Sequence, residues 1–231
     1  MAHGAPVWLG LVAGCGAGAA AGTANGLLTT QLRIPAFIAT LGTMGIFRGA
    51  SLVLTDALPV TDLPPAFGRL AAGNVMGLPL PLWIYGVVCL AAAAILRRTV
   101  FGRHIYAVGS NREAAYHAGI RIEWITVAVF AVLGALTGLA GLIESSRLVS
   151  GQPTAGEGYE LQVIAAVVIG GGSLSGGEGS VVGTLAGAFL MAVLANGCVP
   201  LDLSPYVQRI VIGALLVLAV ALDQLLRRRL S

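Results

Sequence analysis

Long apolar runs separated by short polar segments are the feature that most constrains this chain. Most of the runs are close to the roughly 20 apolar residues that a helix needs to cross a bilayer. A membrane barrel would instead show strands of about ten alternating residues. The sequence therefore predicts an all-α fold, a polytopic transmembrane helical bundle in one domain over 1–231. The seven runs lie at about 7–30, 34–55, 80–96, 122–143, 159–172, 181–197 and 206–223.

Composition supports a membrane protein and excludes other classes. The chain is 57% hydrophobic and 10% charged, whereas soluble domains carry about 25% charged residues. The net charge of +3 comes from basic residues that are all arginine and cluster at the ends of apolar runs, which indicates topology and not nucleic-acid binding. Cys15, Cys89 and Cys198 lie in or beside apolar runs, so we interpret them as small hydrophobes, with no metal or cofactor expected.

Arginine positions predict the orientation of the chain. Arginines cluster between the third and fourth runs and again after the seventh run. Both clusters should lie in the cytoplasm by the positive-inside rule, as should the C-terminus. Four apolar runs separate the clusters, which agrees with this orientation. The loop 56–79 and Met1 then fall outside. Because no signal peptide or positive flank accompanies an outside Met1, we expect an odd number of helices to precede the chain. The clusters are Arg97, Arg98, Arg103, Arg112 and Arg121, and Arg227, Arg228 and Arg229.

A stripe of glycines marks the first apolar run. Its members recur every four positions, which places them on one face of a helix. Small residues at this spacing let two membrane helices approach closely. The stripe therefore predicts tight packing of the first helix against a neighbour. The glycines are Gly10, Gly14, Gly18, Gly22 and Gly26.

The polar loop 97–121 carries the pattern of a short independent helix. Ser110 and Glu113 have the spacing of a capping box, and Ala114 and Ala115 are strong helix formers. Gly119 is a typical stop signal. Because so short a helix is marginal alone, it indicates a partner surface. The alternatives are an amphipathic helix on the lipid headgroups and a solvated loop.

Five segments of the chain resemble a known family of transporters. Together they resemble the ribose, xylose and galactose type of binding-protein-dependent ABC import permease over essentially the whole chain. The segments are GRHIYAVGSNREAAYHAGI at 102–120, LRIPAFIATLGTM at 32–44, QPTAG at 152–156, GYEL at 158–161 and IAAVVIGG at 164–171.

The resemblance implies a multi-pass subunit of the bacterial inner (plasma) membrane that moves a monosaccharide such as ribose and is not itself an enzyme. It also implies two cytoplasmic ATPase subunits, a periplasmic or lipid-anchored sugar-binding protein, a second permease copy and surrounding lipid. The cytoplasmic helix would act as the coupling helix that docks on the ATPase. Its residues are Ser110, Asn111, Glu113, Ala114, Ala115 and Gly119.

A missing upstream block sets one further expectation, and the glycine-rich run sets another. The family usually has an upstream G-[IV]-D-L-S-V-G motif and about three more helices, and the chain has neither. We therefore expect an N-terminally truncated permease that holds about seven helices of a probable ten. The glycine-rich run 170–179 does not match a phosphate loop, which needs a G-K-[ST] sequence, because the chain contains no lysine. ATP hydrolysis is thus expected in a partner.

Polar residues within or beside the apolar runs are candidates for the translocation path or a gate. Glu144 and Arg147 are three apart, as in a helical ion pair. They could form a gate or contact the binding protein, although snorkelling or local pairing would explain them equally well. The remaining candidates could also be hydrogen bonds between helices. They are Asn25, Thr40, Thr43 and Asn196.

Other functions fit the sequence less well. A permease for branched-chain amino acids or another small polar solute is the nearest alternative. A secondary transporter should show an intramembrane ion or proton relay, and no convincing set is visible. A membrane enzyme would need a clustered catalytic site, and His3, His104 and His117 lack metal-ligand spacing.

Overall fold

The computed structural model contains nine assigned helices and one small hairpin within the residues it describes. These residues are 7–61, 63–197, 200, 204, 207–208, 210–215, 217–218 and 220–221. The elements are α1 Val7–Thr30, α2 Ala36–Leu54, α3 Pro65–Ala72, β1 Asn74–Val75, β2 Leu78–Pro79, α4 Leu80–Arg98, α5 Val100–Ser110, α6 Arg112–His117, α7 Ile122–Leu148, α8 Tyr159–Ile169 and α9 Val181–Gly197.

Four helices are long and apolar enough to cross a membrane, namely α1, α2, α4 and α7. They coincide with the first four predicted runs, which confirms the all-α membrane class. α8 and α9 are apolar but shorter, and the 11 residues of α8 extend about 16 Å, roughly half of a hydrocarbon core. The seventh run, 206–223, falls partly outside the described residues, and its described members are helical. Cys198 and Arg227 to Arg229 also lie outside them.

The described residues divide into two compact units. Unit 1 comprises those of Met1–Val88 and Arg121–Ala155, and unit 2 those of Cys89–Ile120 and Gly156–Ser231. The prediction of one permease domain over 1–231 stays a prediction.

Glycines set the packing of α1 against α7 in unit 1. A Cβ at Gly18 would clash with the carbonyl oxygen of Gly134, and one at Gly22 with that of Phe130. Gly14 and Gly26 also face α7, against Leu142 and Val127. The backbones of the two helices therefore touch directly, which confirms the predicted close packing for these four members of the stripe.

The segment between α2 and α4 is folded onto the end of α7, also in unit 1. The Ser146 hydroxyl donates to the Phe67 carbonyl oxygen at 2.7 Å and accepts from the Ala71 N–H at 3.0 Å. Ser146 and Phe67 are each 1% exposed. Val60 and Gly151 exchange two backbone hydrogen bonds. These contacts hold α3 in place. Sequence analysis treated 56–79 as a loop and did not predict this helix.

A close pair of helices forms the core of unit 2. The α8 residues Ala165 and Ala166 and the α9 residue Met191 are buried there with Ile212. Gly187 of α9 lies against the Ala166 carbonyl oxygen, where a Cβ would clash. Small residues again let two apolar helices meet at their backbones.

Candidate functional site

The loop 97–121 contains two helices, α5 and α6, where sequence analysis predicted one. Thr99 caps α5, because its hydroxyl accepts the Gly102 N–H at 3.1 Å. The bend after α4 brings Gly102 so close to the backbone of Ile95 and Leu96 that a Cβ would clash with their carbonyl oxygens. The Thr99-x-x-Gly102 pattern is therefore the signal that could have revealed α5.

The cap of α6 differs from the predicted capping box. Asn111, not Ser110, is the N-cap, and its Oδ1 accepts the Ala114 N–H at 2.9 Å. Ser110 is the last residue of α5. The prediction was displaced by one residue because Ser-x-x-Glu and Asn-x-x-Ala overlap, and a polar cap pattern alone does not separate them.

The stop signal at Gly119 is confirmed. Gly119 has a φ of +78°, which is the left-handed conformation that favours glycine. Its N–H donates to the Tyr116 carbonyl oxygen at 2.9 Å, and the Ile120 N–H donates to that of Ala115 at 3.1 Å. These two hydrogen bonds form a Schellman motif, which satisfies the last carbonyl groups of the helix. α6 is therefore capped at both ends.

Burial distinguishes the two alanines of α6. Ala115 is only 3% exposed, whereas Ala114 is exposed. Sequence analysis assigned both alanines to the docking helix, and of the two only Ala114 is exposed. Because successive helical residues are about 100° apart, Glu113 and His117 lie nearly opposite Ala115, with Ala114 and Tyr116 on the two flanks. We call these four residues the α6 face.

Two members of the α6 face were missed by sequence analysis as site residues. Tyr116 is 70% exposed, and its ring stands edge-on to that of His117 with the centroids 5.8 Å apart. Exposed aromatic side chains at a protein surface are frequent anchors of protein interfaces. An aromatic pair within a polar loop is the signal that could have identified them.

Three of the polar candidates come together in unit 1. The Thr43 hydroxyl oxygen on α2 lies 2.7 Å from Asn25 Oδ1 on α1 and 3.1 Å from the Thr40 carbonyl oxygen. Its single proton is thus divided between two acceptors. The Thr40 hydroxyl donates to the Ala36 carbonyl oxygen at 2.9 Å. The cluster links α1 to α2 by a polar contact between two apolar helices.

The other polar candidates are not part of this cluster as the structure describes it. Glu144 is half-buried and Arg147 exposed in the last part of α7. Their predicted ion pair and gating role stay predictions. Asn196 belongs to α9 in unit 2, and its side-chain amide donates to the Ala192 carbonyl oxygen at 2.8 Å. That contact is within its own helix.

Sequence comparisons relate the chain to known transport proteins. The family described as "Branched-chain amino acid transport system / permease component" matches residues 1–220. The ribose import permease protein RbsC of Escherichia coli (strain K12) is 46% identical over 210 residues. The corresponding protein of Bacillus subtilis (strain 168) is 45% identical over 202 residues. The L-arabinose transport system permease protein AraH of Escherichia coli (strain K12) is 37% identical over 218 residues.

The matches cover most of this chain but a smaller share of each relative. The alignments include 89%, 87% and 94% of this chain, respectively. The chain spans 65%, 63% and 66% of the lengths of the three relatives. No solved structure matched the chain.

Proposed function

Since the chain belongs to the branched-chain amino acid transport system / permease component family, we propose that it is the membrane-spanning permease subunit of an ABC importer. It forms the translocation path for a monosaccharide such as ribose, and a separate ATPase subunit drives transport. The observation that carries this proposal is α6. A six-residue helix is too short to be stable by itself, yet this one is capped at both ends and exposes an aromatic pair.

The chemistry of the chain favours mechanical coupling over catalysis. With no lysine in the sequence, the glycine-rich run cannot act as a phosphate loop. The run connects α8 to α9, as a turn between apolar helices would. ATP hydrolysis is therefore assigned to a partner that binds the α6 face.

Purification and reconstitution test this function directly. A tagged chain isolated from the membrane should carry an ABC ATPase, identified by mass spectrometry. In proteoliposomes with that ATPase and the cognate sugar-binding protein, radiolabelled ribose uptake should require ATP. Uptake driven by an ion gradient without any ATPase would contradict the proposal and favour a secondary transporter.

The description of the family supports a second candidate substrate class, branched-chain amino acids. The relatives named for ribose and L-arabinose favour a sugar. Parallel uptake assays separate the two classes: labelled ribose should accumulate in an ATP-dependent manner, and labelled leucine should not. The reverse result would assign the amino-acid substrate.

We propose that the chain spans the bacterial inner (plasma) membrane beside a second permease copy and lipid, with its C-terminus in the cytoplasm. The four long helices support this placement, because large apolar side chains cover their exposed surfaces, as on α4 with Leu82, Val87 and Leu90. A soluble protein rarely exposes so much contiguous apolar area. A docked binding protein on the outer side completes the proposed assembly.

Cysteine labelling tests the orientation. In a background without native cysteines, single cysteines at Ser110 and Ser175 should react from the cytoplasm, and one at Thr154 from the outside. All three positions are exposed, whereas the nearby Ser150 is only 8% exposed and would label poorly from either side. Labelling of positions 110 and 154 from the same side would contradict the orientation.

We propose that Asn25, Thr40 and Thr43 contribute to the path, with Asn196, Glu144 and Arg147 as further candidates. Replacing Thr43 by valine should raise the apparent KM for ribose about threefold, because a hydroxyl that lines the path would lose a hydrogen bond to the sugar, worth about 0.5–1.5 kcal/mol. The matched control is Thr23→Val, since the Thr23 hydroxyl donates to the Ala19 carbonyl oxygen in its own helix. A loss of thermal stability with unchanged KM would indicate a purely structural hydrogen bond.

A further inference from the structure

The end of α5 meets the turn between α8 and α9 by direct backbone contact within unit 2. A Cβ at Gly109 would lie 3.1 Å from the Gly177 Cα and still closer to its nitrogen. A Cβ at Gly177 would lie 2.6 Å from the Ser110 Cα. Gly177 has a φ of +78°, so both the space and the backbone conformation favour glycine. We call this contact the glycine junction.

A side-chain hydrogen bond reinforces the glycine junction. The Tyr106 hydroxyl, nearly one turn before Gly109, donates to the Gly179 carbonyl oxygen at 2.8 Å. Gly176 also lies against Gly109, since a Cβ there would be 2.9 Å from the Gly109 carbonyl oxygen. The 170–180 turn thus contacts α5 at the last turn of the helix.

No flexible linker separates this contact from the α6 face. Asn111 serves both helices: its N–H donates to the Ala107 carbonyl oxygen of α5 at 3.1 Å, and its side chain caps α6. A single extended residue therefore joins α5 to α6. Displacement of α6 must move the end of α5, because both caps hold the connection at fixed length.

The 170–180 turn is also attached firmly to the helices it connects. The Ser180 hydroxyl oxygen accepts the Gly183 N–H at 3.0 Å at the start of α9. The Gly172 N–H donates to the Val167 carbonyl oxygen of α8 at 2.8 Å. The Ser173 N–H closes the turn on the Glu178 carbonyl oxygen at 3.1 Å. Movement of the turn is therefore transmitted to α8 and α9.

We propose that the glycine junction is the internal relay of the transporter, which passes motion of α6 to the α8–α9 pair. This inference rests on the proposed function, since it assumes that a partner ATPase moves α6. Tyr106 and Gly109 are then positioning residues: they contact neither the partner nor the sugar, and they keep α5 in register with the turn. Their loss should uncouple ATP hydrolysis from transport and leave ATPase docking intact.

The test uses the assembled transporter in proteoliposomes with Tyr106→Phe and Gly109→Ala. Tyr106→Phe removes one hydrogen bond, so we expect the ATP hydrolysed per ribose transported to rise about fivefold. Gly109→Ala, whose methyl group would clash with Gly177, should give a larger rise. Tyr159→Phe, at the exposed start of α8, removes a hydroxyl elsewhere in the same unit and should leave the ratio unchanged.

Three results would overturn the relay. The first is an unchanged ratio of ATP hydrolysed to ribose transported in both Tyr106→Phe and Gly109→Ala. The second is loss of ATPase co-purification in Tyr106→Phe, which would place Tyr106 in the docking surface. The third is a rise of the same ratio in Tyr159→Phe that equals the rise in Tyr106→Phe. Failure of the proposed function would look different, because the unmodified chain would then show neither ATPase co-purification nor ATP-dependent uptake.

Discussion

Replacing Ala114 with arginine is expected to abolish both ATPase co-purification and sugar uptake while the amount of folded permease stays normal. Ala114 is exposed on α6, and arginine is a good helix former, so the capped helix should persist. The added bulk and charge would obstruct a close contact with the partner. Overpacking costs about 1–3 kcal/mol, which weakens binding by about five- to a hundredfold. Co-purification from membranes and ribose uptake in proteoliposomes measure the two effects.

Two other alanines supply the controls for this variant. Ala72→Arg places the same side chain at the exposed end of α3, and ATPase co-purification should be unchanged. Ala115→Arg would force a charge into a site that is 3% exposed, so permease abundance itself should fall. If Ala114→Arg preserves assembly and uptake, α6 is not the coupling element, and a solvated loop becomes the better interpretation of this segment.

Periodic patterns predicted the membrane helices well because the bilayer imposes a length and the helix imposes a repeat. The runs 7–30 and 34–55 lie within two residues of α1 and α2. The stripe Gly14, Gly18, Gly22 and Gly26 predicted close packing, but it could not identify α7 as the neighbour. That information depends on Gly134 and Gly138, which face the stripe from a helix distant in sequence.

The candidate site was predicted less completely because its features are short or depend on tertiary contacts. Asn111 and Ser110 are both good caps, and only the backbone geometry shows which one is used. The burial of Ala115 is invisible in a six-residue helix, which is too short for a hydrophobic period. The contact between Gly109 and Gly177 joins residues far apart in sequence, and no local pattern at either position indicates it.

Gly22→Ala is expected to destabilise the permease strongly, although it adds a single methyl group. That methyl would collide with the Phe130 carbonyl oxygen and lie 3.2 Å from the Ala131 Cα. Since both contacts are backbone atoms of α7, relief requires the two helices to separate along their length. We expect a loss of about 3 kcal/mol, at the upper end for overpacking. Thermal unfolding in detergent, followed by circular dichroism, measures it.

Gly16→Ala is the matched control, because Gly16 lies in the same helix and a Cβ there meets nothing within 4 Å. Both substitutions raise intrinsic helix propensity by about 1 kcal/mol, which by itself favours the folded state. The melting temperature should therefore fall in Gly22→Ala, and it should rise or stay unchanged in Gly16→Ala. Equal destabilisation by both would mean that glycine flexibility within α1 matters, and that direct backbone contact with α7 does not determine its stability.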